Sequence, residues 1–170
     1  MDQKDPLTTA YIALGSNLGD PVSVLKAALI SLGRFSSQPM RVSSFYRTQP
    51  VDCPPDSPSF INAVAEISVA SHTTPEEFLS VLKGLEISFG RQPKTVHNAP
   101  RILDLDLISF GSEVRDSENL ILPHPRAHQR AFVLAPLSEL NPELVLLGQS
   151  SSVKSLLEGA RDRDSVKIVE

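Results

Sequence analysis

Apolar residues recur along the chain with two periods, and the changes of period mark out its elements. Thr8-Thr9-Ala10-Tyr11-Ile12-Ala13-Leu14 reads as a first strand, stopped by Gly15-Ser16-Asn17-Leu18-Gly19. Asp20 and Pro21 then supply an N-cap and a first helical position. Val22, Leu25, Leu29 and Leu32 follow at helical spacing until Gly33. Met40 to Tyr46 predicts a second strand, followed by a turn-rich stretch containing Pro50, Pro54, Pro55 and Pro58. Phe60 to Val69 predicts a third strand. Thr74-Pro75-Glu76-Glu77 is a capping box, and it opens a helix with Phe78, Leu82, Leu85 and Phe89 on its apolar face. Gly90 to Pro100 reads as a basic, polar loop with few apolar anchors, expected to move when no ligand holds it. Ile102 to Phe110 predicts a fourth strand, Leu120-Ile121-Leu122 a short one, and Arg126 to Leu140 a helix interrupted by Pro136. A capped turn at Ser152 and a last strand from Ser165 to Val169 complete the pattern. The order β-α-β, β-α-β with short connections points to an α+β fold, a ferredoxin-like α/β sandwich with helices packed on an antiparallel sheet.

Length and composition bound what such a fold can be used for. The chain has 170 residues, enough for one domain with a real core, with residues 1–7 and about 160–170 peripheral. An apolar fraction of 41% and a charged fraction of 21% are globular values, and no apolar run is long enough to span a bilayer. Met1-Asp2-Gln3-Lys4-Asp5 is not followed by the apolar stretch of a signal peptide. Cys53 is the one cysteine, which excludes an intramolecular disulfide framework and fits a reducing cytoplasm. It lies in the proline-rich stretch with no obvious base beside it, which argues against a catalytic thiol. A net charge of −4 argues against a nucleic-acid partner.

Asp104-Leu105-Asp106 is the sharpest chemical signal. On a strand the two carboxylates share a face, about 6.6 Å apart along it, while Leu103, Leu105 and Leu107 take the other face. Paired acids repel unless protonated, solvated or bridged by a cation. The pair is therefore either the wet face of an alternating strand or a seat for Mg²⁺ carrying substrate phosphates. Arg91, Lys94, His97 and Arg101 precede it, and His124, Arg126, His128 and Arg130 follow. These cations either offset the acids at the surface or converge on phosphates, which is what phosphoryl transfer needs. No Gly-Lys-Ser/Thr loop is present, so a P-loop enzyme is excluded. Gly15-Ser16-Asn17-Leu18-Gly19-Asp20 is compatible with an anion cradle and equally with an ordinary strand-to-helix turn. Asn62 interrupts an apolar strand; its carboxamide either satisfies a neighbouring loop or reads the edge of a heterocycle, with Phe60 on the same face.

Six stretches join these pieces: Ala10 to Asp20, Ser43 to Thr48, Phe60-Ile61-Asn62-Ala63, Pro100 to Leu107, Leu122-Pro123-His124-Pro125, and Arg130 to Leu137. In this order they resemble the 6-hydroxymethyl-7,8-dihydropterin pyrophosphokinase family, from about residue 10 to residue 145. The resemblance implies an ATP- and Mg²⁺-dependent diphosphotransferase of folate biosynthesis that moves the terminal diphosphate of ATP onto a pterin CH₂OH and releases AMP. It implies that Asp104 and Asp106 hold two Mg²⁺ ions. Gly15, Thr48, Gln49, Val51 and Asn62 would meet the pterin, with Phe60 and Phe132 sandwiching its ring. Lys83, Glu86, Arg91, Arg101, Leu107, His124 and Arg130 match the ATP site. Arg91 and Arg101 lie on the phosphate side, and Asp106 or water is the candidate base. Its partners would be these small molecules alone, with no nucleic acid or membrane, and the enzyme a cytoplasmic monomer. Where the family often has Arg-Trp-Gly-Pro-Arg, this chain has His97-Asn98-Ala99-Pro100-Arg101. Pro93 stands in place of a second loop arginine, leaving Lys94 to supply that charge, Gln49 replaces a proline, and Pro125 replaces an aromatic. The rival readings are a ferredoxin-like ligand sensor without turnover and a metal-dependent phosphohydrolase.

Overall fold

The computed structural model describes residues 6–50, 52–92 and 100–169. Val51 and Lys94, expected to meet the pterin and the phosphates, lie outside the described residues, as do His97 and Pro93.

The sheet is built on a long antiparallel pair. Strand β1, Leu7–Ser16, runs against β4, Phe60–Ala70, through ten paired residues. Strand β5, Asp104–Phe110, lies on the other side of β1. Two short strands, β2 (Arg41–Val42) and β3 (Tyr46–Thr48), pair with β4 on its far side. The order β5-β1-β4-β3, all antiparallel, bears out the ferredoxin-like arrangement. A separate hairpin joins β6, Arg115–Asp116, to β7, Ile121–Leu122. The last strand, β8 (Lys167–Ile168), pairs with β3 at the edge of the sheet, with both of its residues exposed.

Alternation along the strands gives the sheet two different faces. Ala10, Ile12, Leu14, Ala63, Ala65, Ile67, Leu105 and Leu107 pack under helix α1 (Pro21–Gly33) and helix α2 (Pro75–Ser88). Each helix starts where the sequence says: Asp20 Oδ1 accepts from Ser23 N–H, and Thr74 and Glu77 close a reciprocal box. Full burial of a side chain such as Phe78 or Leu82 contributes about 1.5–3 kcal/mol each. The opposite face carries Tyr11, Val64 and Ile108 beneath helix α3, Ala131–Leu140, and helix α4, Val153–Glu158.

Two expected elements are differently cut. The strand expected from Met40 to Tyr46 breaks at Ser43 and Ser44. Ser43 Oγ, not a backbone carbonyl, accepts from Val64 N–H at 3.0 Å, and Ser44 N–H turns away to Glu139 at 2.9 Å. The helix expected from Arg126 begins at Ala131. Ala127–Gln129 forms a single 3₁₀ turn, and Arg130 is extended between the two. Pro136 stays inside α3.

Candidate active site

Helix α3 covers only part of its face of the sheet, and the uncovered end holds a row of three residues set by register. Asp104 of β5 pairs with Gly15 of β1, and Gly15 pairs with Asn62 of β4. At strand spacings of roughly 4.8 Å, the acid and the carboxamide stand about 10 Å apart across the sheet. Gly15 leaves bare backbone between them. A Cβ there would come 3.1 Å from Asn62 Oδ1 and 3.8 Å from the Phe60 ring. Asn62 is buried, and its Nδ2 donates to Thr48 Oγ1 at 2.7 Å. One of its two amide hydrogens is thereby committed, and Oδ1 is held beside the Gly15 gap as an acceptor.

A cavity of about 480 Å³ opens over this row. On the Asn62 side it is lined by Gly15, Thr48, Gln49, Phe60, Asn62 and Phe132. At the other end stand Asp104 and Asp106 with Lys83, Arg91 and Arg101. Asp104 Oδ1 accepts from Arg101 Nη1 at 3.0 Å and Arg91 Nη1 at 3.3 Å. Asp106, opposite Ala13, has no such clamp among the described residues. Burial, then the Asp104 and Glu86 carboxylates, push its carboxyl up to about 6, against the pull of Arg130 and Lys83. Crowded acids of this kind accept a divalent cation readily. Among the described residues no group of three or more metal-binding side chains forms a cage. Two strand carboxylates that leave the remaining ligands to water and phosphate fit Mg²⁺.

The wall between the ends is cationic. Arg130 lies over the Phe132 ring, 5.4 Å from its centroid, and so braces the aromatic face. His124 is held neutral: burial first, then Arg130 and Arg126, lower it to about 4. Its Nδ1 accepts from Arg126 N–H at 3.2 Å, which puts the ring proton on Nε2. A smaller recess joins the cavity through Lys83, Asp106 and His124, and is lined also by Leu79, Leu107, Glu118, Asn119, Ile121 and Pro125.

The model of the 7,8-dihydro-6-hydroxymethylpterin-pyrophosphokinase family matches residues 11–142. The chain belongs to this family. It is 37% identical over 163 residues to the 2-amino-4-hydroxy-6-hydroxymethyldihydropteridine pyrophosphokinase of Haemophilus influenzae, covering 95% of this chain and 99% of that one. The enzyme of the same name from Bacillus subtilis is 38% identical over 153 residues, with 89% of this chain and 88% of the relative covered. Among solved structures, an HPPK-DHPS chain in complex with substrates superposes with a TM-score of 0.73 over 91% of this chain at 12% identity, a likeness of fold. This chain spans 43% of that longer one.

The pyrophosphokinase motifs, scattered in sequence, thus meet in one place. Gly15, Thr48, Gln49, Phe60, Asn62, Lys83, Arg91, Arg101, Asp104, Asp106, His124, Arg130 and Phe132 all line the large cavity, and Leu107 the recess. Glu86 lines neither. In the Gly15-Ser16-Asn17-Leu18-Gly19 turn, one side chain has a structural task. Asn17 is buried; its Oδ1 accepts from Arg101 N–H at 2.9 Å and its Nδ2 donates to Pro58 O at 3.3 Å. It thereby staples the arginine segment and the proline-rich stretch to the end of β1. The sequence reading also missed Asp52, Gln129 and Asp162 as lining residues. Asp162 follows α4 and carries no local signal of its position; the β8–β3 pairing brings that segment back to the sheet.

Proposed function

We infer that this protein transfers the β,γ-diphosphate of ATP, as one unit, to the hydroxymethyl group of 6-hydroxymethyl-7,8-dihydropterin. AMP and the pterin diphosphate are the products, a step of folate biosynthesis. The observation that carries this reading is the Asp104–Gly15–Asn62 row inside one cavity, in a chain of the pyrophosphokinase family. A flat, polar-edged ring held at Asn62 between Phe60 and Phe132 would direct its CH₂OH across the Gly15 gap toward the acids.

The residues act mainly by placement. Asn62 Oδ1 accepts from the heterocycle edge, and the two aromatic rings fix its plane. Arg91 and Arg101, already converging on Asp104, lie where they can neutralise charge on the transferring phosphates. The neutral His124 offers an uncharged donor to the nucleotide, alongside Lys83, Leu107 and Arg130. Asp104 and Asp106 would hold Mg²⁺, two ions being expected, which supplies charge neutralisation and a template for in-line alignment when bound. The same reading has the enzyme acting as a monomer in the cytoplasm, which sedimentation and cell fractionation test.

The decisive assay supplies ATP, Mg²⁺ and hydroxymethyl-dihydropterin and identifies the nucleotide product. AMP should appear in step with pterin diphosphate. Stoichiometric ADP, or ATP hydrolysis indifferent to the pterin, would overturn the reading and favour a phosphohydrolase.

A further inference from the structure

Glu86 stands apart from the residues around it. It is 1% exposed, the one fully buried carboxylate or cation among the described residues, and it borders neither the cavity nor the recess. Lys83, one turn earlier in α2, borders both.

Its two oxygens have separate tasks. Strand β5 is the edge of the sheet, so part of its backbone has no neighbouring strand to pair with. Glu86 Oε1 takes the place of that strand, accepting from Leu105 N–H at 2.8 Å. Leu105 is the residue between Asp104 and Asp106, so the bond fixes the backbone that carries both acids. Oε2 is met by charge rather than by a hydrogen bond. Arg91 lies against it, and Lys83 Nζ is 3.9 Å away. The Glu86 carbonyl also accepts from Arg91 N–H at 3.1 Å, so both ends of that residue are tied to this one position. Arg91 in turn reaches Asp104 at 3.3 Å. The end of α2, the acid-bearing strand and a phosphate-side arginine are therefore joined through one side chain behind the cavity wall.

We propose that Glu86 is a positioning residue for the transfer reaction, setting the separation between the β5 carboxylates and the Arg91 guanidinium. The proposal rests on the pyrophosphokinase reading above, and it adds a structural task to a residue that the family resemblance placed with the nucleotide. A carboxylate presents one oxygen to the backbone amide and the other to the guanidinium, where an amide side chain offers a single oxygen.

Two variants separate the tasks. Glu86→Gln keeps an oxygen for Leu105 N–H and nearly the same volume, but loses the charge that holds Arg91. Glu86→Ala loses both and leaves a buried amide unpaired. Each is measured for single-turnover rate, for affinity toward Mg²⁺ with a non-hydrolysable ATP analogue by calorimetry, and for hydrogen exchange at the Leu105 amide. Glu86→Gln should lower the single-turnover rate at least about tenfold while leaving analogue affinity within about threefold and the Leu105 amide protected. Glu86→Ala should lower the rate further and expose the amide. Three results would overturn the proposal: a Gln variant as fast as the parent, a Gln variant whose loss is all in affinity, or an Ala variant with the Leu105 amide still protected. If the parent itself makes no AMP from pterin and ATP, the reaction reading fails. The amide exchange then still decides whether Glu86 anchors β5.

Discussion

Asn62 shows how one side chain can be read from sequence and still be incompletely understood. As the polar residue in an apolar strand it was conspicuous, and burial obliges it to find partners. The structure gives it one local partner, Thr48, and leaves its oxygen beside the Gly15 gap. The local reading accounts for Nδ2, and Oδ1 is the atom that the proposed pterin contact would use. Asn62→Ala should weaken pterin binding by about 1–3 kcal/mol in calorimetry and leave nucleotide binding unchanged; equal losses for both ligands would make Asn62 a fold residue only. Asn17 is the opposite case. Its partners, Pro58 and Arg101, are 41 and 84 residues away, so no local pattern announces its task. His124 carries a pH consequence. Its folded value of about 4 lies below the ordinary 6.5, so the unfolded chain takes up the proton first as pH falls. Stability should drop from about pH 6.5 toward pH 4. In His124→Gln that portion of the drop should vanish from melting curves, and the His124 ring in the parent should titrate by NMR only near pH 4.

At the scale of elements, what the chain encodes locally was legible. The two long helices begin at caps whose donors and acceptors lie within three residues of each other. The break between β2 and β3 was not legible, because it depends on Glu139. That carboxylate, 95 residues on, takes Ser44 N–H at 2.9 Å and, through Oε2, the Tyr46 hydroxyl at 2.8 Å. The late start of α3 was hidden for a related reason: Arg130 gives up helical backbone and lies over Phe132. Thr74 sits at the opposite end of α2 from Lys83, Glu86 and the cavity, so the cap can be removed without disturbing the site. Thr74→Ala should cost about 1 kcal/mol and lower the melting midpoint by roughly 2–4 °C. Turnover at 25 °C should match the parent; a large rate loss would mean that the helix transmits its start to its end.

Across the whole molecule, one sheet separates two kinds of work. The face under α1 and α2 is sealed, while the face carrying Asp104, Gly15 and Asn62 is only partly covered. Leu82→Ala, on the sealed side, should cost about 2–5 kcal/mol in denaturant unfolding with little change in KM for either substrate. Asp106→Asn should do the reverse. Its carboxyl is raised toward about 6, so its charged form opposes folding above that pH. At pH 7 the Asn variant should melt at or above the parent's temperature while turnover is abolished. Near-normal turnover at saturating Mg²⁺ would remove Asp106 from the site. This division also makes the bare register of β1 and β4 into a code. Ile12, Leu14, Ala63 and Ala65 answer to the packing of the interior under α1 and α2, while Ala13, Gly15 and Asn62, on the alternate positions, border the cavity, which Leu14 also touches; Val64 packs under α3. A library of single substitutions, sorted once for cellular abundance and once for rescue of folate-requiring growth, should therefore print two combs of period two along these strands, offset by one residue. The teeth of the abundance comb fall in the gaps of the growth comb wherever the protein remains plentiful but idle.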